Sequence, residues 1–371
     1  MNQHTPITIP SHLLPGDGRF GSGPSRVEPL FVNDLAESGS GFLGTSHRKA
    51  GVRNVVRSIQ DGISALYELP DGYEVMLGVG GATAFWDAAA FGLVANRAAH
   101  FVCGEFSEKF AAVTSGAPHL DDPVIISAPY GSAPDPRDVM DVDVACYIHN
   151  ETSTGVKAPF GRNGDALVLV DGTSGAGAIP FDVSTIDAYY FSPQKAFGSD
   201  GGLWLSMMSP AAIERIETIA TSKRWIPPFL SLSVALDNSR KNQTYNTPAL
   251  GTLFLLERQI SSGLANGGLD VLAQRSLDSS QHLYDWAGSR PFTTPFVSSP
   301  PLRSPTVVTI DLDESVPARD VIGVLEANGI VDIGGYRKLG RNQLRIATFP
   351  NIPTSDVEAL TACIDFAVEA L

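Results

Sequence analysis

The sequence is poor in cysteine and in long apolar runs, and these absences exclude several classes of protein. Its three cysteines, Cys103, Cys146 and Cys363, are far apart and odd in number, so neither a disulfide framework nor a zinc site is expected. No segment reaches the roughly 18 consecutive apolar residues of a membrane helix. Met1 to Gly16 is polar, unlike a secretory signal. We therefore expect a protein of the reducing cytoplasm, with no metal and no membrane partner.

Positive charge is also scarce. The chain has 26 Lys and Arg against 40 Asp and Glu, a net charge of −14. A dispersed acidic surface argues against a nucleic-acid partner. It permits an anionic small molecule, because a local arginine cluster can outweigh the overall charge. The 371 residues, 43% of them hydrophobic, are enough for two domains with substantial cores.

Short apolar runs alternate with helical spacings through the first two thirds of the chain. Several runs are apolar on both faces, as in a sheet that is covered on both sides. Alternation of strands and helices predicts an α/β fold with a mostly parallel sheet, in which ligands bind beyond the carboxyl ends of the strands. The candidate strands are Tyr73–Leu77, His100–Val102, Val124–Ser127, Val142–Ile148, Ala166–Val170, Ala188–Phe191 and Leu203–Met208.

The pattern changes after about residue 262. Helical spacings at 269–287, 321–327 and 354–371 surround candidate strands at 306–310 and 344–347, which predicts a smaller α+β domain. The segment Ser289–Pro305 is rich in Ser, Thr and Pro, and we expect a loop there. The predicted organisation is an N-terminal arm at 1–16, a large α/β domain at 17–262 and a small domain at 263–371.

An acid and a lysine follow two neighbouring candidate strands. Asp171 comes directly after the apolar run Leu167–Val170, and Lys195 lies four residues beyond Phe191 in a glycine-rich setting. Pyridoxal phosphate (PLP) chemistry needs both groups. The lysine forms a Schiff base and moves the substrate α-proton, while the acid keeps the pyridine nitrogen protonated.

Two other interpretations of this pair exist. Asp171 could merely cap a turn and Lys195 could be a surface lysine, although their joint position among glycines favours a cofactor site. Ser192-Pro193-Gln194-Lys195 also matches the S-x-x-K motif of penicillin-recognising serine enzymes. No Lys-Thr-Gly follows it, and the α/β setting is wrong for that class.

A glycine-rich turn, Gly78 to Thr83, joins a candidate strand to a helix. Such a turn lets backbone N–H groups approach an anion at the start of the helix, and the Thr83 hydroxyl can add a contact. Because Thr83 stands where G-x-G-x-x-G has its third glycine, the turn does not support a nicotinamide enzyme. A tight strand-to-helix connection is the alternative explanation.

Three further segments carry groups that suit anions. Gly44 to Arg48 contains Ser, His and Arg, and Tyr336 to Arg341 forms a basic cluster with Arg345 nearby. The polar run Lys241 to Pro248 precedes a helix, for which Thr247 is the expected N-cap. Each could instead be a solvated loop or a simple cap.

Together these motifs resemble the phosphoserine aminotransferase family, in its actinobacterial-type branch. This family belongs to the PLP-dependent aspartate-aminotransferase-like fold (fold type I), with a mostly parallel seven-stranded sheet and a smaller α+β domain. The resemblance runs from about Arg19 to the C-terminus. Its most specific motifs are Gly18–Pro24, Gly44–Arg48, His149–Gly155, Gln194-Lys195 and Tyr245–Pro248.

The resemblance implies a role for each matching residue and a homodimer with shared active sites. Lys195 would be the Schiff-base lysine and Asp171 the partner of the pyridine nitrogen. Other cofactor contacts would come from Ala82, Thr83, Phe106, Thr152 and Gln194, with Asn246 and Thr247 reaching across from the other protomer. The anionic groups of the substrate would meet His47, Arg48, Arg337 and Arg345, of which Arg345 would clamp the α-carboxylate.

The resemblance further implies amino transfer from L-glutamate to 3-phosphohydroxypyruvate in serine biosynthesis, and a side activity in vitamin B6 synthesis. Two positions depart from the family pattern: Phe106 replaces a stacking Trp, and Tyr336-Arg337 replaces His-Arg. The alternatives are another class-V PLP enzyme, such as a different aminotransferase or a cysteine desulfurase, and a binding protein with a degenerate PLP site. A desulfurase would need a mobile reactive cysteine.

Overall fold

The computed structural model describes residues 7–371, so the first six positions of the predicted arm lie outside it. Within this part of the chain, seven strands form one sheet in the order β1-β9-β8-β7-β4-β2-β3. A separate two-stranded ribbon, β5 and β6, follows β4. The strands are β1 (Glu74–Val79), β2 (Ala98–Val102), β3 (Val124–Ser127), β4 (Val144–Ile148), β5 (Asn150–Glu151), β6 (Val156–Lys157), β7 (Leu167–Asp171), β8 (Ala188–Phe191) and β9 (Leu203–Met208).

The large sheet is mostly parallel, which confirms the predicted α/β class. Strand β9 runs antiparallel to both of its neighbours, and the remaining described pairs are parallel. Both faces are covered, as the two-sided apolar runs predict. In β7, Val168 and Val170 pack into the core on one face, whereas Leu167 and Leu169 pack into the core on the other.

Helices cover this sheet where apolar residues recur at helical spacing. In α2 the buried positions include Val52, Val56, Ile59 and Ile63. Helix α3 begins at Gly81 because Gly80, with φ of 105°, turns the chain sharply out of β1. The helices are α1 (Pro29–Phe42), α2 (Ala50–Leu66), α3 (Gly81–Gly92), α4 (Glu105–Gly116), α5 (Pro210–Ala220), α6 (Leu232–Ser239) and α7 (Leu250–Ala265).

The C-terminal part has its own core around a second, three-stranded sheet of the order β10-β11-β12. The expectation that Ser289–Pro305 is only a loop is wrong, because β10 lies within it and pairs antiparallel with β11. Three residues are too few to produce an alternating pattern. The elements are α8 (Gly268–Ser289), β10 (Thr293–Pro295), β11 (Val307–Leu312), α9 (Ala318–Ala327), β12 (Gln343–Ala347) and α10 (Thr354–Ala370).

Residues 18–25, which follow the predicted arm, connect the two sheets. The Phe20 side chain is fully buried in the core of the smaller sheet, and its N–H and C=O bond to Val331 and Ala347. A few residues later the Ser25 N–H donates to the carbonyl of Gln194, at 2.8 Å. This segment is therefore bound at one end to the small sheet and at the other to the loop that carries Lys195.

The structure can be compared with the predicted start of α7 and with the predicted boundary between the two domains. The expectation that Thr247 caps the next helix is wrong: α7 begins at Leu250 with Ala249 at its N-cap, and Pro248 is not in the first turn. The proposed division between 262 and 263 falls inside α7, which continues to Ala265, and the domain division stays a prediction.

In residues 7–371 no helix combines the length and the apolar character needed to cross a bilayer.

Candidate active site

Lys195 and Asp171 line the same cavity. This cavity has a volume of about 270 Å³ and lies at the carboxyl ends of the parallel strands. Asp171 ends β7, and Lys195 follows the neighbouring parallel strand β8 after a short turn. Both side chains are buried, with 5% and 9% of their surfaces exposed. The fold thus brings an amine and a carboxylate to one enclosed space.

The Asp171 carboxylate is held by donors on both oxygens. Oδ1 accepts the backbone N–H of Thr173 at 2.9 Å, and Oδ2 accepts the indole N–H of Trp86 at 3.1 Å. Burial raises the pKa of Asp171, and the bonds from Thr173 and Trp86 act in the opposite direction. Each oxygen keeps a lone pair for one more donor.

The Lys195 amine is poised for loss of its proton. Its Nζ donates to the carbonyl oxygen of Ser22 at 2.6 Å. Burial, and then the positive charge of Arg345, lower the pKa of Lys195 to about 8, partly offset by Asp171. An amine with this pKa is neutral far more often at physiological pH than a surface lysine, and a neutral amine is the nucleophile.

The turn into α3 forms one wall of the cavity. Gly80, Gly81, Ala82 and Thr83 all line it, so the N-terminal end of the helix faces the enclosed space. The Ala82 N–H donates to the hydroxyl of Ser192 at 2.7 Å. A helix N-terminus with this geometry favours a phosphate or carboxylate group.

Phe106 and Thr152 also line the cavity, and Glu151 connects the two segments that carry them. Glu151 is fully buried, and its carboxylate accepts five hydrogen bonds. These come from the N–H groups of Phe106, Ser107 and Ser153 and from the hydroxyls of the two serines. The Thr152 hydroxyl donates to the Ser174 hydroxyl at 2.8 Å. One buried carboxylate therefore fixes the start of α4, where Phe106 sits, next to the segment that carries Thr152.

A second cavity, of about 590 Å³, contains both predicted C-terminal arginines. Arg337, Lys338 and Arg345 line it together with Ser22, the residue that accepts the Lys195 hydrogen bond. Arg345 donates to the carbonyl of Thr152 at 3.3 Å, and its buried Nε has no partner within the described chain. This cavity therefore adjoins the first and offers positive charge to an anionic ligand.

A loop of the small sheet closes over this region. Lys338 forms an ion pair with Glu105, the residue that precedes Phe106. The Tyr336 ring lies between Phe106, at a centroid distance of 6.1 Å, and the guanidinium of Arg345, at 5.3 Å. The loop thus joins the wall of the first cavity to the basic residues of the second.

Four predicted residues lie elsewhere in the same chain. His47 Nδ1 is 3.2 Å from the Thr247 hydroxyl, and Arg48 donates to Gln243 and to the Tyr245 carbonyl. Asn246 is exposed beside them. In the part of the chain that the structure describes, none of His47, Arg48, Asn246 and Thr247 lines the Lys195 cavity. The segments 47–48 and 243–247 instead contact each other at the surface of the protein.

Several residues that line the two cavities are not predicted from the sequence. Trp86 lies on the cavity-facing side of α3, and the spacing of four residues from Ala82 could have revealed it. Ser22 contributes only a backbone carbonyl, which no residue type marks. Thr173 stands two residues after Asp171, and Asn150 stands two residues before Thr152. Their closeness in the sequence to predicted site residues is the only feature that could have indicated them.

None of the three cysteines lines the Lys195 cavity. Cys103, Cys146 and Cys363 are buried and unpaired. Burial raises the pKa of the first two thiols well above the usual range and that of Cys363 to about 11. Thiols of this kind are poor nucleophiles, which argues against a desulfurase.

Comparison with known proteins agrees with the fold. A family model for class-V aminotransferases matches residues 139–337. A phosphoserine aminotransferase from Rhodococcus jostii is 53% identical over 370 residues, which cover 99% of each chain. The crystal structure of a phosphoserine aminotransferase from Cytophaga hutchinsonii matches with a TM-score of 0.86 at 26% identity, over 94% of this chain and 99% of that one. A PLP-bound phosphoserine aminotransferase from Trichomonas vaginalis matches with a TM-score of 0.80 at 17% identity, over 94% and 99%.

Proposed function

The chain belongs to the phosphoserine aminotransferase family of class-V aminotransferases, and we propose on this basis that it transfers the amino group of L-glutamate to 3-phosphohydroxypyruvate. The products are O-phospho-L-serine and 2-oxoglutarate. The observation that carries the proposal is the placement of Lys195 and Asp171 in one cavity beside a helix N-terminus. This reaction is a step of serine biosynthesis.

The cofactor is pyridoxal phosphate, and the first cavity fits its three chemical parts. A phosphate suits the N–H groups at the start of α3, an aromatic ring suits the space beside Phe106, and a pyridine nitrogen suits the Asp171 carboxylate. Three buried polar atoms of the lining have no partner within residues 7–371, namely Asn150 Oδ1, Thr173 Oγ1 and Gln194 Oε1. A polar ligand would satisfy them.

The chain's own residues have separate tasks in amino transfer. When bound, the cofactor supplies an electron sink for the carbanion at the substrate α-carbon. Lys195 would hold the cofactor through its aldehyde, and the free amine would carry the proton removed from the substrate α-carbon. Asp171 would keep a proton on the ring nitrogen, and Phe106 would pack against the ring face.

Recognition of the substrates depends on the basic second cavity. Arg345 clamps the α-carboxylate that both amino donor and amino acceptor carry, and its unpartnered Nε is available for this contact. Arg337 is exposed and meets the distal anionic group. The distal group is a phosphate in one substrate and a carboxylate in the other, so one basic site serves both. Phosphorylated hydroxythreonine of vitamin B6 synthesis has the same pair of anions, and its use stays a prediction.

Two copies of the chain complete each site in this proposal. His47, Arg48, Asn246 and Thr247 form one surface group away from the Lys195 cavity of their own chain, and the partner subunit would receive them. Apolar side chains are also exposed, including Trp225 at 75% and Leu30 at 62%. A subunit interface would cover such surface. We also place the enzyme in the cytoplasm, supported by its three unpaired cysteines.

Amino transfer from glutamate tests the reaction. The enzyme is assayed with 3-phosphohydroxypyruvate, with unphosphorylated hydroxypyruvate and with oxaloacetate. We expect kcat/KM for the phosphorylated acceptor to be at least about a hundredfold higher, because its phosphate can form charge-assisted hydrogen bonds with the basic residues of the second cavity. Lys195→Ala should abolish turnover and the visible absorbance of the bound cofactor. Equal rates with all three acceptors would overturn the proposed substrate.

Subunit complementation tests the shared site. Lys195→Ala and the double variant Asn246→Ala, Thr247→Ala should each be inactive as homodimers. After the two are unfolded and refolded together, random pairing should restore about a quarter of the wild-type sites, because each hybrid dimer has one intact site. No recovery, with hybrid dimers shown by mass, would contradict the shared site.

A further inference from the structure

Helix α3 contacts the proposed cofactor site at two places. Its first turn, with Ala82 and Thr83, lies where the phosphate is expected, and Trp86 lines the same cavity one turn later. Residues four apart lie on the same face of a helix, so the position of one fixes the other. A single rigid element therefore faces both the phosphate end and the Asp171 end of the cavity.

The indole of Trp86 is directed to Asp171 by its packing. Its side chain is buried, with 4% exposed, and it stacks on Phe110 at a centroid distance of 6.2 Å and an interplanar angle of 15°. Nε1 lies 3.1 Å from Asp171 Oδ2, which is hydrogen-bonding distance. The indole N–H can only donate, so this contact is satisfied when Asp171 acts as an acceptor on Oδ2.

We propose that Trp86 is a positioning residue that holds the Asp171 carboxylate ionised and correctly oriented, and that it thereby keeps the cofactor ring nitrogen protonated. The inference rests on the proposed function only in taking PLP as the ligand. With Thr173 on Oδ1 and Trp86 on Oδ2, the carboxylate is fixed from two sides. A donor to a carboxylate favours its charged form, and a charged carboxylate favours a protonated pyridine.

The other ionisable groups around Asp171 do not stabilise its charged form, so hydrogen bonds from neutral donors must do so. Burial raises the pKa of Tyr189 and Tyr190 on β8 well above the usual range, with the charge of Asp171 acting in the same direction, so both stay protonated. His149, whose backbone N–H donates to the Asp171 carbonyl, is buried with its pKa lowered to about 3 and stays neutral. Lys195 is the one cation of this group within the described residues, and its amine is engaged by Ser22 and then by the cofactor.

The first experiment compares Trp86→Phe with Trp204→Phe. Trp204 is a matched control, because it is buried in the same core, at 5% exposed, and its ring packs on Phe85. Each refolded apoprotein is titrated with PLP, and each holoenzyme is studied by solid-state NMR with ¹⁵N at the cofactor ring nitrogen. We expect Trp86→Phe to bind PLP about tenfold more weakly, since it loses one donor to a charged group.

In the same variant the ring nitrogen should lose its proton at a pH at least about one unit lower than in the wild type, and kcat should fall more than KM rises. Trp204→Phe should match the wild type in both binding and titration. If the two variants give the same PLP affinity and the same titration midpoint, the role of Trp86 is wrong. Both readouts are independent of the amino acceptor, so a failed substrate assay would not imitate this result.

A second measurement needs no change at Trp86. In protein labelled with ¹⁵N-tryptophan, the indole signals of the other three residues, Trp204, Trp225 and Trp286, are identified from single Phe variants, which leaves that of Trp86. Addition of PLP to the wild-type apoprotein should move the Trp86 signal, because the charge on Asp171 becomes paired. An unmoved Trp86 signal at saturating PLP would overturn the proposal even if Trp86→Phe failed to fold.

Discussion

The Nζ atom of Lys195 lies 2.6 Å from the carbonyl oxygen of Ser22, which comes 173 positions earlier in the chain. The next residue after Ser22 has no side chain, and a Cβ on Gly23 would lie 1.7 Å from Nζ. The amine therefore occupies space that any other residue at this position would fill. The chain before the large sheet is as much a part of the site as the strands that carry Asp171 and Lys195.

Gly23→Ala should block this position of the amine. The added methyl group overlaps Nζ, and the φ of 147° at Gly23 is also unfavourable for alanine. We expect the variant to fold and to take up PLP at less than about a tenth of the wild-type rate. Absorbance stopped-flow of the apoprotein measures this rate. The control is Gly288→Ala, where the new methyl group meets open space in helix α8; equal rates in both variants would show that the overlap is unimportant.

Capture of PLP should depend on pH through Lys195. Its lowered pKa leaves about a tenth of the amine neutral at pH 7, against less than about one in a thousand for an ordinary lysine. The rate of PLP incorporation should rise with pH and level off above a midpoint near 8. Arg345→Gln removes a neighbouring positive charge and should move the midpoint upward. Arg337→Gln, the control, should leave the midpoint unchanged. A wild-type midpoint near 10 would contradict the conclusion that burial and Arg345 lower the pKa of Lys195.

Glu151→Ala should destabilise the apoprotein. The substitution leaves three backbone N–H groups without an acceptor, of which two are buried and that of Phe106 is part-buried, and we expect the free energy of unfolding to fall by about 3 kcal/mol. Urea unfolding measures the change. Asp313→Ala is the matched control, because Asp313 accepts hydrogen bonds from Ser315 at an exposed turn. A Glu151 variant as stable as the Asp313 variant would contradict the structural role of this carboxylate.

Lys338→Ala should weaken substrate binding. The ion pair with Glu105 holds the 336–340 loop against the start of α4, and its loss frees Tyr336 and Arg337. We expect KM for the phosphorylated acceptor to rise about three- to tenfold with little change in kcat. Lys109→Ala removes the other lysine that pairs with Glu105 but belongs to α4 itself, so its KM should stay at the wild-type value. Steady-state kinetics with both variants separates loop closure from a general charge effect.

The sequence predicts the large sheet well, for a physical reason. Most of its strands are buried on both faces and therefore form short, continuous apolar runs. The runs at Val124–Ser127, Ala188–Phe191 and Leu203–Met208 have the same bounds in the structure, although the first is an edge strand that exposes Ile125. No apolar period marks helix α1 in the sequence, because this helix buries only Phe31 and Gly39 and leaves Leu30 exposed. A helix whose apolar side chains do not pack into a core of the same chain shows no clear helical spacing of apolar residues.

The site was predictable wherever chemistry marks a residue. Asp171, Lys195 and the glycine-rich turn stand out because few side chains suit a cofactor, and the structure places all three on one cavity. The Trp86–Asp171 and Lys338–Glu105 contacts join residues far apart in the chain, 85 and 233 positions respectively, and no local pattern encodes them. The same holds for Ser22, which acts through its backbone.

The double attachment of residues 18–25 has a mechanical consequence. Phe20 is bonded to the small sheet, whereas Ser25 is bonded to the Lys195 loop, with the Ser22 carbonyl between them. The Ser22 carbonyl is thereby fixed relative to both the small sheet and the Lys195 loop, so the position of the Lys195 amine depends on contacts with both sheets.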